Sequence, residues 1–189
     1  MLSEAAEAYA RARLPVEVAR AWGLGSLTAL RKEEDGVRGI VAGAAFRRLV
    51  ARTLARQFGE EMEAACSPFQ FALSTRAGTD CVGHIVRFLT QADPELSVLS
   101  VDGVGAYDNI YRASMLGKLR ELLTAGNILP FVWLSYGRPS EYIWTDEAGE
   151  DRTVRQCEGG EQGDPLMTVL FSLGLHPALE RTQRQLQRG

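Results

Sequence analysis

Glu158-Gly159-Gly160-Glu161-Gln162-Gly163-Asp164-Pro165-Leu166 is a polar, glycine-rich turn that empties straight into a long apolar helix. Asp164 reads as its N-cap and Pro165 as its first residue, since an Asp side chain accepts orphan amide hydrogens and Pro lacks only a donor that has no partner there. Leu166, Val169, Leu170, Leu173 and Leu175 then recur at near-helical spacing, which docks the helix on a core and presents Gln162 and Gly163 at its amino end. For Asp-Pro-Leu taken alone, an ordinary capped core helix is the commoner explanation, and it is a second motif upstream that outweighs it.

Upstream stands Val98-Leu99-Ser100-Val101-Asp102-Gly103-Val104-Gly105-Ala106-Tyr107-Asp108-Asn109-Ile110. Val98 to Val101 form a β-branched and aliphatic run of the kind that makes a buried central strand, with Asp102 at its carboxyl end. A carboxylate at the lip of such a strand, followed by glycines that let backbone approach a ligand, suits a hard cation held by Asp oxygen and a main-chain carbonyl. The competing reading is that Asp102 caps the turn that follows.

Together the two stretches resemble the palm of a reverse transcriptase of the non-LTR retrotransposon and group II intron type. In that family a strand ends in Asp, followed by a small residue and an aromatic, often with a further Asp; a Gln-Gly-x-Pro-Leu turn later leads into a helix. The matching residues are Asp102, Ala106, Tyr107 and Asp108, then Gln162, Gly163, Pro165 and Leu166, with Leu170-Phe171 downstream. Arg38-Gly39-Ile40-Val41 and Phe46-Arg47-Arg48-Leu49 are similar to the family's fingers segment, with Gly39 standing where Pro is usual. Phe69-Gln70-Phe71 through Arg76-Ala77-Gly78-Thr79 resembles the linker to the helix before the palm strand, so the similarity runs over residues 30 to 182.

The resemblance implies an α+β, right-hand polymerase fragment in which helices pack on a small antiparallel sheet. Residues 1–68 would be the helical amino-terminal and fingers segment and 69–189 a partial palm. It also implies nucleotidyl transfer by two Mg²⁺ or Mn²⁺ ions about 4 Å apart, acting on deoxynucleotides along an RNA or DNA template-primer. Asp102 would be the catalytic metal carboxylate, with the Gly103 carbonyl beside it. Tyr107, next to Ala106, would lie under the incoming sugar and exclude a 2'-hydroxyl, unless it is simply a core aromatic. Gln162 would contact nucleotide or template with Gly163 allowing close approach, Lys32 and Arg38 would bind the triphosphate, and Asp108 would cap the next helix.

The family's third motif, an aromatic-x-Asp-Asp hairpin, is absent: after Asp164 there is no Asp, and Glu180 is the only acid. A lone Asp cannot hold two dications against bulk water, so the isolated chain is expected to be inactive, the remaining palm and thumb coming from a longer parent. The alternative is a non-catalytic remnant that binds nucleic acid or a partner protein through an exposed sheet edge and apolar surface.

Composition bounds these expectations. Net charge is -3, unusual for a nucleic-acid polymerase, but five arginines (Arg38, Arg47, Arg48, Arg52, Arg56) and no acid lie between Val37 and Gly59. Arg47 and Arg52 are the candidates to meet phosphates; a solvated helix face is the alternative. The three cysteines are widely spaced, which argues against a zinc site or disulfide framework and for a reducing compartment. No apolar run reaches membrane-spanning length and the amino terminus lacks a signal-peptide pattern, so a soluble intracellular protein is expected, nuclear or cytoplasmic alike. His84 and His176 read as core or rim histidines without ligand partners.

Periodicity predicts helices over 3–13, 15–22, 44–65 and 79–90, the last with Val82, Ile85, Val86 and Leu89 as a buried stripe. A fingers hairpin over 27–40 turns at Glu33-Glu34-Asp35-Gly36, and Met115 to Leu123 form a helix ended by Gly126. Glu141 to Thr145 and Arg152 to Gln156 read as two strands around the turn at 146–150.

Overall fold

The computed structural model describes residues 1–31, 33, 36–73 and 75–188. Their elements run α1 (Leu2–Ala10), α2 (Val16–Gly23), β1 (Gly25–Arg31), β2 (Val37–Gly43), α3 (Ala45–Ala64), α4 (Gly78–Ala92), α5 (Ala106–Asn109), α6 (Arg112–Glu121), a 3-10 turn (Ala125–Ile128), α7 (Leu129–Tyr136), β3 (Ser140–Thr145), β4 (Asp151–Gln156) and α8 (Met167–Leu186). Helices and one four-stranded sheet make a mixed α and β protein, in order β2-β1-β3-β4.

The β1–β2 hairpin is antiparallel from Gly25↔Gly43 to Arg31↔Val37, and β3–β4 is antiparallel from Ser140↔Gln156 to Thr145↔Asp151. The two hairpins join through a short parallel pairing, Gly25↔Tyr142 and Ser26↔Ile143. The expected small antiparallel sheet is therefore mixed, because strands far apart in sequence meet side by side in the same direction. It also draws β1 and β2 from the amino-terminal segment and β3 and β4 from the carboxyl-terminal one.

The core is helical. Its buried cluster takes Tyr9 from α1, Val50 and Leu54 from α3, Met115 and Leu119 from α6, Phe131 and Val132 from α7, and Met167, Leu170 and Leu173 from α8. No strand residue belongs to that cluster among the described residues, so the helices pack on one another and the sheet flanks them. Tyr9 sits edge-on to Phe131 at 5.2 Å and to Trp22 at 4.8 Å, which ties the first two helices to α7.

Three local expectations are corrected. Residues 98–101 form no strand: they are irregular and exposed, Leu99 by 87% and Val101 by 82%, and among the described residues no strand pairs with them to take their backbone hydrogen bonds. Helix α4 forms, but its expected buried stripe is open, with Val82, Ile85, Val86 and Leu89 each more than a third exposed. Gly126 does not end α6, which stops at Glu121 with Leu122 extended; Gly126 lies inside the 3-10 turn.

Candidate functional site

The glycine turn and the segment after Asp102 are stitched together by backbone. Gly159 N–H donates to the Ile110 carbonyl at 2.8 Å, and Gly160 N–H donates to the Tyr107 carbonyl at 2.8 Å. Gly159 has φ +69, and any Cβ there would run into the Asp108 and Tyr107 main chain, so two independent reasons demand glycine. Glu158 reaches across as well: its Oε2 accepts from Arg112 N–H at 2.7 Å and caps the start of α6. Asp108, expected in that capping role, lies exposed within α5, and no side-chain cap is formed by it.

Two buried arginines hold the turn from below. Arg47 of α3 donates to Glu161 Oε1 at 3.0 Å and to Asp164 Oδ2 at 3.2 Å, with all three side chains at most 5% exposed. Asp164 is shared further, its Oδ2 accepting from the Tyr136 hydroxyl at 2.7 Å and its Oδ1 from Leu166 N–H at 2.9 Å. Arg112 donates to the Gly159 carbonyl at 2.8 Å, the Arg138 carbonyl at 2.6 Å and Ser140 Oγ at 3.0 Å. Its guanidinium stands 5.3 Å from the Tyr136 ring centre, and that of Arg47 at 6.0 Å.

Burial acts to lower the Arg47 pKa, but attraction to Glu161 and Asp164 outweighs it and holds the guanidinium charged well above its ordinary range. Burial lifts the Glu161 carboxyl, and the charge and hydrogen bond of Arg47 pull it back only in part, leaving it raised. Burial, with the Asp164 charge behind it, pushes the Tyr136 phenol far up, so it keeps its proton for Asp164 while its oxygen accepts from Glu161 N–H at 3.4 Å. Two carboxylates flanking Gln162-Gly163 are thus clamped beneath the protein surface. The turn stands on a fixed base.

Because Asp164 spends its oxygens this way, α8 begins at Met167 with Leu166 as N-cap residue, and Asp164-Pro165 belong to the turn before it rather than to the helix. Gln162 is half-buried and Gly163, at φ +118, is exposed, packed close to the Val41 carbonyl of β2. Tyr107 and Ala106 are half-buried beside the turn; the Tyr107 hydroxyl lies 3.3 Å from Thr168 Oγ1 and its ring 5.0 Å from that of Phe171. Asp102 and Gly103 stand on the exposed irregular segment.

Arg38 is exposed on β2, at the edge of the sheet, and Lys32 lies outside the described residues. Arg52 is exposed and, with Arg56, lines a cleft that also contains Pro165. Arg47 is the correction: at 2% exposure, with both its bonds to carboxylates, it braces the turn from inside and leaves the surface strip to its neighbours. Among the described residues no three His, Cys, Asp or Glu side chains gather to hold a metal ion. The donor set around Asp102 does not by itself fit two Mg²⁺ ions, which require several clustered oxygens each.

The residues that sequence reasoning missed are Glu161, Tyr136, Arg112 and the inward aim of Arg47. Periodicity could not find them, because each is a polar residue buried by partners far along the chain. One available signal was the acid pair Glu161 and Asp164 in a turn feeding an apolar helix, which calls for a cation once buried.

The fold and site define a mixed α and β protein whose glycine turn is bound to a second motif and braced by buried ion pairs. Compared with known proteins, the chain matches no protein-family model and no curated protein. Among the described residues no helix is long and apolar enough to cross a membrane.

Proposed function

We propose that this chain is a fingers and partial-palm segment of an RNA-directed DNA polymerase, with Gln162-Gly163 and Tyr107 meeting nucleotide and template-primer. One observation carries it: the two motifs that resemble the family's palm are hydrogen-bonded to each other, Gly160 to Tyr107 and Gly159 to Ile110. The Tyr107 hydroxyl meets Thr168 at the start of α8, and Arg52 and Arg56 share a cleft with Pro165 and one carboxylate, Glu60, a net cationic lining that suits a phosphate backbone. In an intact parent, Mg²⁺ or Mn²⁺ bound through Asp102 and further carboxylates would supply the charge stabilisation of nucleotidyl transfer. The residues here would bind and orient: Gln162 through its amide, Tyr107 by its ring against the sugar, and Arg38 at the triphosphate.

A non-catalytic role in binding nucleic acid or a partner protein is the second reading, favoured by the exposed apolar residues of α4 and of 98–104. Fluorescence anisotropy of a labelled RNA–DNA template-primer titrated with the 189-residue protein tests the first. Binding weakened several-fold by Gln162→Ala and by Arg52→Gln with Arg56→Gln is the expected result. Absence of binding, or binding indifferent to all three changes, overturns the assignment.

A further inference from the structure

We propose that the cleft between α2, the α7–β3 junction and the end of β4 is a second binding site, for a nucleoside phosphate, separate in its residues from the Gln162 turn. The cleft holds about 840 Å³, within the range of sites that enclose small ligands. Three guanidiniums line it, Arg20 from α2, Arg138 from the junction and Arg155 from β4, against one carboxylate, Glu141 of β3. Three positive charges less one leave the cleft at +2 in a chain whose net charge is -3.

Only Arg155 is neutralised, by Glu141 at 2.9 Å. Arg20 and Arg138 are exposed and make no ion pair among the described residues, so their planar forks are available to an anion. The rest of the lining is largely apolar, including Leu24, Leu134 and Pro139, and offers apolar surface to a ligand body. Glu141 carries a second carboxylate oxygen, which suits a body with hydroxyl or amino donors rather than an alkyl chain. Phosphate on the arginines, a base on the apolar wall and sugar hydroxyls or base amines toward Glu141 satisfy all three features.

The phosphate could belong to a free nucleotide or to one unit of a strand. Cys157 distinguishes these, because its exposed thiol lines the same cleft, while Cys66 is buried. The full chain carrying Cys81→Ser is alkylated with iodoacetamide, and Cys157 modification is followed by mass spectrometry with adenosine 5'-monophosphate, inorganic phosphate or a short single-stranded oligonucleotide present. The monophosphate should slow alkylation well beyond inorganic phosphate. Arg20→Gln and Arg138→Gln, both at exposed positions and each checked for native folding by circular dichroism, should each raise the half-protecting concentration about tenfold. Stronger protection by the oligonucleotide marks a strand as the natural source, and equal or weaker protection marks free nucleotide. A thiol unprotected by monophosphate and oligonucleotide, protection matched by inorganic phosphate, or protection unchanged in the double arginine variant overturns the proposal. None of these readouts depends on polymerase activity or on the Gln162 turn, so this site and the proposed function fail separately.

Discussion

Replacing Arg47 by Met removes the cation from a cluster in which the side chains of Arg47, Glu161 and Asp164 are each at most 5% exposed while filling much of the same space. Asp164 keeps the Tyr136 hydroxyl and the Leu166 amide as donors, whereas the Glu161 carboxylate accepts no other hydrogen bond among the described residues. The loss therefore falls mainly on Glu161 as an uncompensated buried charge, a change that costs about 3–5 kcal/mol. For a chain of this size each kcal/mol lowers Tm by about 2–4 °C, so Arg47→Met should melt roughly 6–20 °C below the wild type.

The effect should also depend on pH, with a definite sign. Burial already raises the Glu161 carboxyl against the pull of Arg47, and deleting Arg47 raises it further. A carboxyl whose pKa rises on folding contributes stability below its unfolded value and loses it as pH climbs through its folded value. The penalty of Arg47→Met should thus be smallest below the ordinary glutamate value of 4.5 and grow toward neutrality. Calorimetry at about pH 5 and about pH 8 reads this directly, and Glu161→Gln in the Arg47→Met background should restore most of the loss at the higher pH. A variant within about 1 kcal/mol of wild type at both pH values, or one more impaired at the lower pH, would refute the buried-clamp reasoning.

Three further outcomes are expected. Gly159→Ala should lower the urea midpoint by an amount worth about 1–3 kcal/mol or more, from the positive φ alone before the clash with Asp108 is added, and a midpoint unchanged from wild type would dissolve the link between the two motifs. The 189-residue protein should extend no primer in Mg²⁺ or Mn²⁺, and incorporation that disappears with Asp102→Asn would reveal carboxylates gathered in a way the described residues do not show. Changing Arg38 and Arg52 to Gln should flatten the salt dependence of template-primer binding by roughly one unit of slope per lost phosphate contact, while Arg47→Met, buried as it is, should leave the slope alone.

Much of the secondary structure could be read from residues alone. The hairpin at 25–43, the helices at 45–64 and 167–186 and the strands at 140–145 and 151–156 follow from periodicity and turn residues that act over a few positions. The stretch Glu158 to Leu166 announced a glycine turn before an apolar helix, and the glycines after Asp102 announced a second turn. Both are local signals, carried by residue types whose backbone preferences hold wherever the chain goes.

Tertiary structure decided the rest. Val98 to Val101 have the composition of a buried strand, yet a strand exists only where another accepts its hydrogen bonds, and these residues remain irregular and exposed. The apolar stripe of α4 is present in sequence but remains open, since amphipathicity states which face could be covered and not what covers it. Arg47 looked like one of a strip of surface cations until folding placed it against Glu161 and Asp164, more than a hundred residues away. A charge's role is set by what it meets after desolvation, and that meeting depends on the whole chain. The pattern of side chains determined the pieces and the faces they offer for contact; only the packed fold determined that the Gln162 turn would stand on a buried ion-pair clamp.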